Sequence, residues 1–492
     1  MRDLLKRLTR MVIGYGAVQW AGPFLSLIFT PIITRALTPA DYGVADYLLT
    51  LASAFSTLAL FALPTALLTH FNDQPDDPFW RRAVTGSAYT IATISGLACG
   101  AWLLVFAPTL TARVSILAPY TSLVQLIGAT FFFGVTGSIL LAASQAALRV
   151  RWGMVFSLVT LVGTFAGNIA FVVILRLGVT GMILTPIVTG LATWLVGMVL
   201  VRGMLGLPNR RVTKMLLRSG GILLPTMLAA WALQVSDRLF LGQYVGEAGL
   251  GYYAIANRMA GLVGVAMAPI YAAWTPLALA MQQQTRAAER YISMSRYLIA
   301  AVLMIGLGIS LFATEILIIL TRPAYLPAAP YVGFLVYMHI FSGFGAVFST
   351  GALLGKQLAS FTGAVVIGAI VNMLLNILLI PRYGVWGATL STVIGYALPQ
   401  IILYLVLQQR FPIAYPIGRF LAALGIEFVL MLIGLLLPAT NIPLRVGLKL
   451  LLFAVLPLSY LWLGLISVFE AQQARLFVRH RVGVALGAWR KR

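Results

Sequence analysis

The stretch Ile299–Leu320 reads IAAVLMIGLGISLFATEILIIL, apolar on every helical face and carrying one charge, Glu315. A helix of about 20 mainly apolar residues crosses a bilayer. In hydrocarbon the backbone has to close its hydrogen bonds within the segment, and a helix does so. A spanning β-strand would alternate apolar and polar positions over about ten residues, which this stretch does not. It reads as a transmembrane α-helix. Similar stretches recur along the whole chain of 492 residues, 61% of them hydrophobic and only 9% charged. Soluble proteins carry roughly 25% charged residues, so most of this surface does not meet water. No interval between apolar stretches is large enough for a soluble domain.

Working outward, the pattern predicts about fourteen spans: 11–34, 44–69, 83–106, 120–147, 152–175, 179–201, 220–243, 249–276, 297–320, 329–354, 359–380, 386–407, 418–437 and 446–469. The net charge of +22 sorts on this map. With the N-terminus inside, 25 of the 34 Lys and Arg residues fall on the inner side. They include Arg81, Arg82, Arg149, Arg151 and the run Arg202–Arg218. Seven fall outside: Arg35, Arg113, Arg176, Arg322, Arg382, Arg445 and Lys449. Arg238 and Arg258 remain within spans. Cytoplasmic loops are enriched in Lys and Arg. The asymmetry therefore predicts an inner-membrane protein, multi-pass, with both termini cytoplasmic. Its basic face meets anionic inner-leaflet lipid rather than nucleic acid.

Cys99 is the single cysteine, so no intrachain disulfide is expected. His70, His339 and His480 are far apart and no metal-ligand spacing occurs, so neither a metal nor a cofactor is expected. The first apolar run is long and lacks a cleavage site, and reads as a retained helix. In Met1–Val12 and again in 471–492, basic residues sit opposite Leu, Phe and Val. Both ends are expected to be amphipathic helices on the inner leaflet, the alternative being a solvated basic tail.

The chain also repeats itself. Asn168-Ile169 followed by Arg176-Leu-Gly178-Val179-Thr-Gly181 matches Asn376-Ile377 followed by Arg382-Tyr-Gly384-Val385-Trp-Gly387. Leu37-Thr-Pro-Ala-Asp41-Tyr42-Gly43 matches Val245-Gly-Glu247-Ala-Gly-Leu250-Gly251. The shared offset covers an even number of helices, so the halves have the same orientation, an arrangement expected of carriers. The expected organisation is an N-terminal six-helix lobe (1–202), a cytoplasmic linker (203–219), a C-terminal six-helix lobe (220–410), and two additional helices with a basic tail (411–492).

The segment Pro31-Ile-Ile-Thr34-Arg35-Ala-Leu37-Thr-Pro39-Ala-Asp41-Tyr42-Gly43 carries a resemblance. So do Ser236-Asp237-Arg238-Leu-Phe-Leu-Gly242, Glu247-Ala-Gly-Leu-Gly251-Tyr252-Tyr253-Ala254, Asn257-Arg258 and Ala313-Thr-Glu315-Ile-Leu with Tyr325 and Ala328-Ala329. Together they resemble the polysaccharide-transporter branch of the multidrug/oligosaccharidyl-lipid/polysaccharide exporter superfamily. That branch contains O-antigen-type oligosaccharide-lipid flippases. The resemblance implies an all-α integral membrane fold of two parallel six-helix lobes in a V, plus two extra C-terminal helices. It implies a polyprenyl-diphosphate oligosaccharide as substrate, a place in lipopolysaccharide or other cell-envelope polysaccharide biosynthesis, and polysaccharide polymerase and assembly proteins as partners.

A diphosphate in a dry cavity calls for Arg, whose planar fork grips phosphate with two hydrogen bonds. A charge inside a span by default marks a pathway. Arg258 and Arg238, with Arg35 near the outer end of the first span, are the candidate diphosphate ligands. The alternative is a self-neutralising pair of Asp237 with Arg258 or Arg238. Sugar hydroxyls call for amides and aromatic faces, and the first helices of the two lobes offer Gln19, Trp20, Trp231 and Gln234. These could equally serve packing. Acids out of water take up protons more readily. Asp237 and Glu315 are therefore the candidates for coupling to a proton or sodium gradient, Glu315 also fitting a wet interfacial place. Glu427 belongs to the extra helices, off the expected path. Pro23, Pro31, Pro225, Pro269 and Pro276 are expected to break their helices.

The leading expectation is a flippase working by alternating access, not an enzyme. One alternative is a drug/cation antiporter of the same superfamily, which would want an acidic cavity. Another is a membrane glycosyltransferase, polymerase or ligase, which would want a large outer loop bearing catalytic acids or His. The acids Asp73, Asp76 and Asp77 sit on an inner loop beside Arg81 and Arg82 and read as a solvated turn.

Overall fold

The computed structural model describes residues 29–467 apart from 75, 282–286, 355–357, 411–412 and 438–441. Gln19, Trp20, Pro23 and the two basic ends lie outside the described residues. Helices account for every regular element among those described. They are α1 (29–36), α2 (Pro39–Leu60), α3 (Leu63–His70), α4 (Pro78–Arg113), α5 (Thr121–Ala146), α6 (Val150–Gly167), α7 (Gly178–Val201), α8 (Arg210–Tyr244) and α9 (Glu247–Ala260). Then follow α10 (Leu262–Met281), α11 (Ala287–Leu311), α12 (Ala313–Leu320), α13 (Ala329–Leu354), α14 (Leu358–Tyr383), α15 (Val385–Arg410), α16 (Ile417–Leu436) and α17 (Ile442–Trp462). Among the described residues, 13 helical segments are long and apolar enough to cross a membrane. The chain is an all-α, multi-pass membrane protein.

The motif at 38–43 shows how local chemistry sets an element. Thr38 and Asp41 form a capping box: the Asp41 N–H donates to Thr38 Oγ1 at 3.2 Å, and the Thr38 N–H donates to Asp41 Oδ2 at 3.1 Å. Two amide donors that α2 could not satisfy internally are thus paired. Pro39 occupies the first turn, where its missing N–H costs nothing.

The repeated motifs adopt the same backbone. Gly178 and Gly384 both take left-handed φ, 57° and 56°. Gly43 and Gly251, matched in the other repeat, face each other: a Cβ on Gly43 would come within 2.6 Å of the Gly251 nitrogen. Only hydrogen at both places lets α2 and α9 approach this closely.

Three expectations change. The helix α8 runs unbroken through Pro225, and α10 through Pro269 and Pro276. Proline is tolerated in spanning helices because neighbouring groups take up the freed carbonyl. Breaks fall elsewhere: at Phe61 and Ala62, both left-handed (φ 49° and 53°), and at Gly261 between α9 and α10. Residues 168–174 wind as a π-helix after α6. Finally, Arg445 and Lys449 do not lie in an outer loop but on the first turns of α17, both buried.

The helices group into two compact units. The first holds the described residues up to Arg258 with Leu317–Tyr331 and Thr362–Tyr396. The second holds the described residues of Met259–Ile316, of Val332–Phe361 and from Ala397 onward. In the first, α4 and α7 pack on α5, and α2 packs on α8. In the second, α11 packs on α10, α16 and α17, and the Tyr460 hydroxyl donates to the Ala300 carbonyl at 3.0 Å.

Candidate functional site

Both in-span arginines belong to the first unit, and their surroundings differ. Arg238 on α8 is 7% exposed. Its Nε donates to Asp46 Oδ2 on α2 at 2.6 Å, and its Nη1 to Asp237 Oδ1 at 3.2 Å and to the Gln234 carbonyl at 3.0 Å. A buried cation needs such partners because leaving water costs several kcal/mol. Asp237, 2% exposed, is held in turn. Tyr253 on α9 donates to its Oδ2, and so does Thr392 on α15 at 3.1 Å. Beside it, Ser236 meets Asn376, whose side-chain carbonyl accepts from Ser391 and whose amide donates to Asn372 Oδ1 at 3.2 Å. Asp46, Arg238 and Asp237 form one ionic cluster, with Arg238 serving both carboxylates. The pair Asp237–Arg238 anticipated from the sequence forms.

Arg258 on α9 is half-buried and lines a cavity of about 430 Å³ within the first unit. Arg258 is the charged residue of that lining among the described residues. The polar remainder is Ser157, Thr160, Thr164 and Asn168 of α6 and the turn that follows. Phe29 and Phe165 stack at 4.1 Å at its wall. Hydroxyls sit along α6 at 157, 160 and 164, successive steps of three and four residues that gather side chains on one helical face. Arg258 Nη1 donates to the Tyr42 hydroxyl at 2.8 Å. Tyr42 is buried, edge-on to Tyr325 with centroids 6.3 Å apart.

The motif Thr38-Pro39-Ala40-Asp41-Tyr42-Gly43 thus divides its labour. Thr38 and Asp41 start α2, Tyr42 orients Arg258, and Gly43 admits α9. Tyr42 and Asp46 were the residues that sequence reasoning missed. The signal was present: both stand on the face of α2 that carries Gly43, the glycine matched in the repeat.

Residues 32–330 match the family described as polysaccharide biosynthesis protein. The chain belongs to that family. It is 36% identical over 107 residues to an uncharacterised membrane protein of Methanocaldococcus jannaschii, a match covering 20% of this chain and 20% of that protein. Its fold is that of solved transporters. An inward-facing multidrug resistance transporter of the MATE family superposes with a TM-score of 0.66 at 15% identity, over 82% of this chain and 97% of that one. The lipid II flippase MurJ, inward closed, superposes with a TM-score of 0.65 at 13% identity, over 91% and 98%. A MOP-superfamily transporter from Pyrococcus furiosus, described as having reversed polarity in its binding pocket, gives 0.56 at 17%, over 82% and 94%. A member of the polysaccharide biosynthesis family, the chain thus shares its fold with solved transporters of the MATE and MurJ kinds.

The remaining candidates of this family member are placed as follows. Arg35 is exposed at the end of α1. Trp231 Nε1 donates to Ser53 Oγ at 3.0 Å, and Gln234 is exposed. Glu315, in the second unit, is clamped by two cations of α17: Lys449 Nζ at 2.7 Å and Arg445 Nε at 2.9 Å. This clamp explains why Arg445 and Lys449 are drawn into a helix and out of water. Glu427 is fully buried on α16 and accepts from the Tyr337 hydroxyl.

Proposed function

We propose that this protein carries a polyprenyl-diphosphate-linked oligosaccharide across the inner membrane by alternating access, with both of its termini cytoplasmic. The observation that carries the reading is Arg258, a cation facing a cavity otherwise lined by hydroxyls, one amide and apolar groups. A guanidinium offers the diphosphate two parallel charge-assisted bonds where water is scarce. Ser157, Thr160, Thr164 and Asn168 can exchange hydrogen bonds with phosphate or sugar oxygens, and Phe29 with Phe165 offers an aromatic face. Arg238, engaged by two carboxylates, holds helices in place in this scheme, and Arg35 meets the substrate at the outer end of α1. Coupling to a proton or sodium gradient through Asp237 belongs to the same proposal. Family membership and a lipid II flippase among its structural neighbours support the choice of a lipid-linked glycan.

A drug/cation antiporter is the second reading, favoured by the likeness to a multidrug transporter. The positive lining at Arg258 speaks against it, since like charge repels a cationic drug at close range. The test is translocation of a fluorescent polyprenyl-diphosphate oligosaccharide in proteoliposomes, parent against Arg258→Ala, with ethidium efflux measured in parallel. Lipid movement that Arg258→Ala loses is the expected result. Dye efflux without lipid movement replaces the flippase with the antiporter.

A further inference from the structure

At the basic end of the first unit, α4 and α6 begin and α5 and α7 end, so four helix termini surround one place. A second pocket, about 290 Å³, lies there, lined by Arg81, Arg82 and Arg149 together with Phe71, Asn72, Leu148 and neighbouring backbone. Among the described residues, that lining holds no carboxylate. The nearby acids are spent or turned away: Asp77 accepts from the Phe79 N–H at 2.8 Å to cap α4, Asp73 pairs with His70 at 2.7 Å, and Asp76 is exposed.

Arg81 and Arg149 are held through their side chains, and Arg82 is fixed through its backbone. Arg81 Nη2 donates to Asn72 Oδ1 at 3.3 Å, its guanidinium lies 5.5 Å from the Phe71 ring centre, and its buried Nε has no hydrogen-bond partner among the described residues. The Arg82 carbonyl accepts from the Gly206 N–H at 3.1 Å, fixing the strand of linker behind the pocket. Arg149 lies 4.1 Å over the ring of Trp152. The turn that delivers Arg149 is a Schellman closure. The Arg149 N–H bonds the Ser144 carbonyl at 3.1 Å, and Leu148 stands at the left-handed position with φ 53°. Glycine is the usual occupant there. Here a leucine is kept, 69% exposed, on the pocket lining. A pocket of cations with an exposed apolar side chain in its wall matches an amphiphile: a phosphate head with a hydrocarbon tail. Trp80 and Trp152 flank the site, the residues that favour the level of the headgroups.

We propose that Arg81, Arg82 and Arg149 form a binding site for the phosphate headgroup of an anionic membrane lipid, with Leu148 against its acyl chain. The site is separate from the Arg258 cavity and does not rest on the function proposed for it. It would fasten one annular lipid at the junction of four helices.

The test uses the full chain in detergent, with phosphatidylglycerol added at defined ratios, bound lipid counted by native mass spectrometry and stability followed by thermal melting. The triple variant Arg81→Gln/Arg82→Gln/Arg149→Gln should bind about a hundredfold more weakly, roughly fivefold per arginine. Arg210→Gln/Arg211→Gln, two exposed arginines of the same basic end, should bind as the parent does. Arg149→Gln alone, at an exposed side chain, keeps the test decisive where the triple variant does not fold, and should lose about fivefold. Equal losses in the pocket and control variants would mean attraction by net charge alone and would overturn the site. Stabilisation of the parent by pyrophosphate to the same extent as by phosphatidylglycerol would overturn the lipid as its ligand and leave a free phosphate compound.

Discussion

Arg238 and Arg258 are the same residue type on neighbouring helices of the first unit, and they are used in opposite ways. Arg238 is enclosed by Asp46, Asp237 and the Gln234 carbonyl. Arg258 meets a phenol at 2.8 Å and a cavity of about 430 Å³. A charge within a span is costly wherever it sits. What separates structure from function here is the identity of the partner. Carboxylates neutralise a guanidinium and fill its fork, whereas a tyrosine hydroxyl orients one.

The largest effect should come from unpairing the enclosed arginine. Asp237→Ala removes a fully desolvated carboxylate and leaves Arg238 with the more exposed Asp46. Breaking a buried pair from one side costs about 3–5 kcal/mol. The expected outcome is a collapse in the yield of monodisperse protein and a large fall in thermal midpoint. The double variant Asp237→Ala/Arg238→Met should recover most of that loss, because an apolar pair of similar volume is often neutral. A double variant as unstable as the single one would show that Asp237 acts through Tyr253 and Thr392 and not through Arg238.

Arg258→Ala should do the reverse. Its thermal midpoint should stay near that of the parent, while transport of the diphosphate lipid falls at least tenfold, about 1.4 kcal/mol at the site. Arg258→Lys should retain part of the rate, since an ammonium supplies charge without the planar fork. A folding defect in Arg258→Ala equal to that of Asp237→Ala would erase the distinction between the two arginines.

The fold was legible in the sequence because lipid imposes one solution on an apolar run, and because Gly178 and Gly384, or Gly43 and Gly251, repeat at matched places. The candidate site was legible in part. Scarcity of in-span charge singled out Arg238 and Arg258, but nothing in the linear pattern said that two carboxylates would meet at Arg238. Asp46 lies in a different span from Arg238, 192 residues away, and only the packing of α2 on α8 brings them together. The prolines misled for a related reason: a lost backbone bond need not bend a helix whose neighbours supply a substitute. Breaks came at Phe61–Ala62, ahead of the Leu63-Pro64 start of α3.

A third, smaller effect sharpens the contrast within the enclosed cluster. Asp46 keeps 26% of its side chain exposed, against 2% for Asp237. Asp46→Asn should therefore cost about 1 kcal/mol, since a partly hydrated pair is worth less than a buried one. Thermal melting in detergent checks the ranking, and an Asp46→Asn loss as large as that of Asp237→Ala would mean that burial does not set the order.

The smallest change addresses orientation. Tyr42→Phe removes the hydroxyl that accepts from Arg258 Nη1 at 2.8 Å and keeps the ring that packs against Tyr325. The charge at Arg258 is untouched, so attraction of a diphosphate at long range should persist. What is lost is the fixed direction of the fork, on which two-point binding of phosphate depends. Half-saturation should rise about threefold, with the maximal rate nearly unchanged, the pattern of binding lost equally from the resting and moving states. The double variant Tyr42→Phe/Arg258→Lys then discriminates. If Tyr42 acts by aiming the guanidinium, removing it should matter little once lysine has replaced the fork, and the two changes will fall short of additive. Strict additivity would mean that Tyr42 serves α2 alone and that Arg258 works as a bare positive charge.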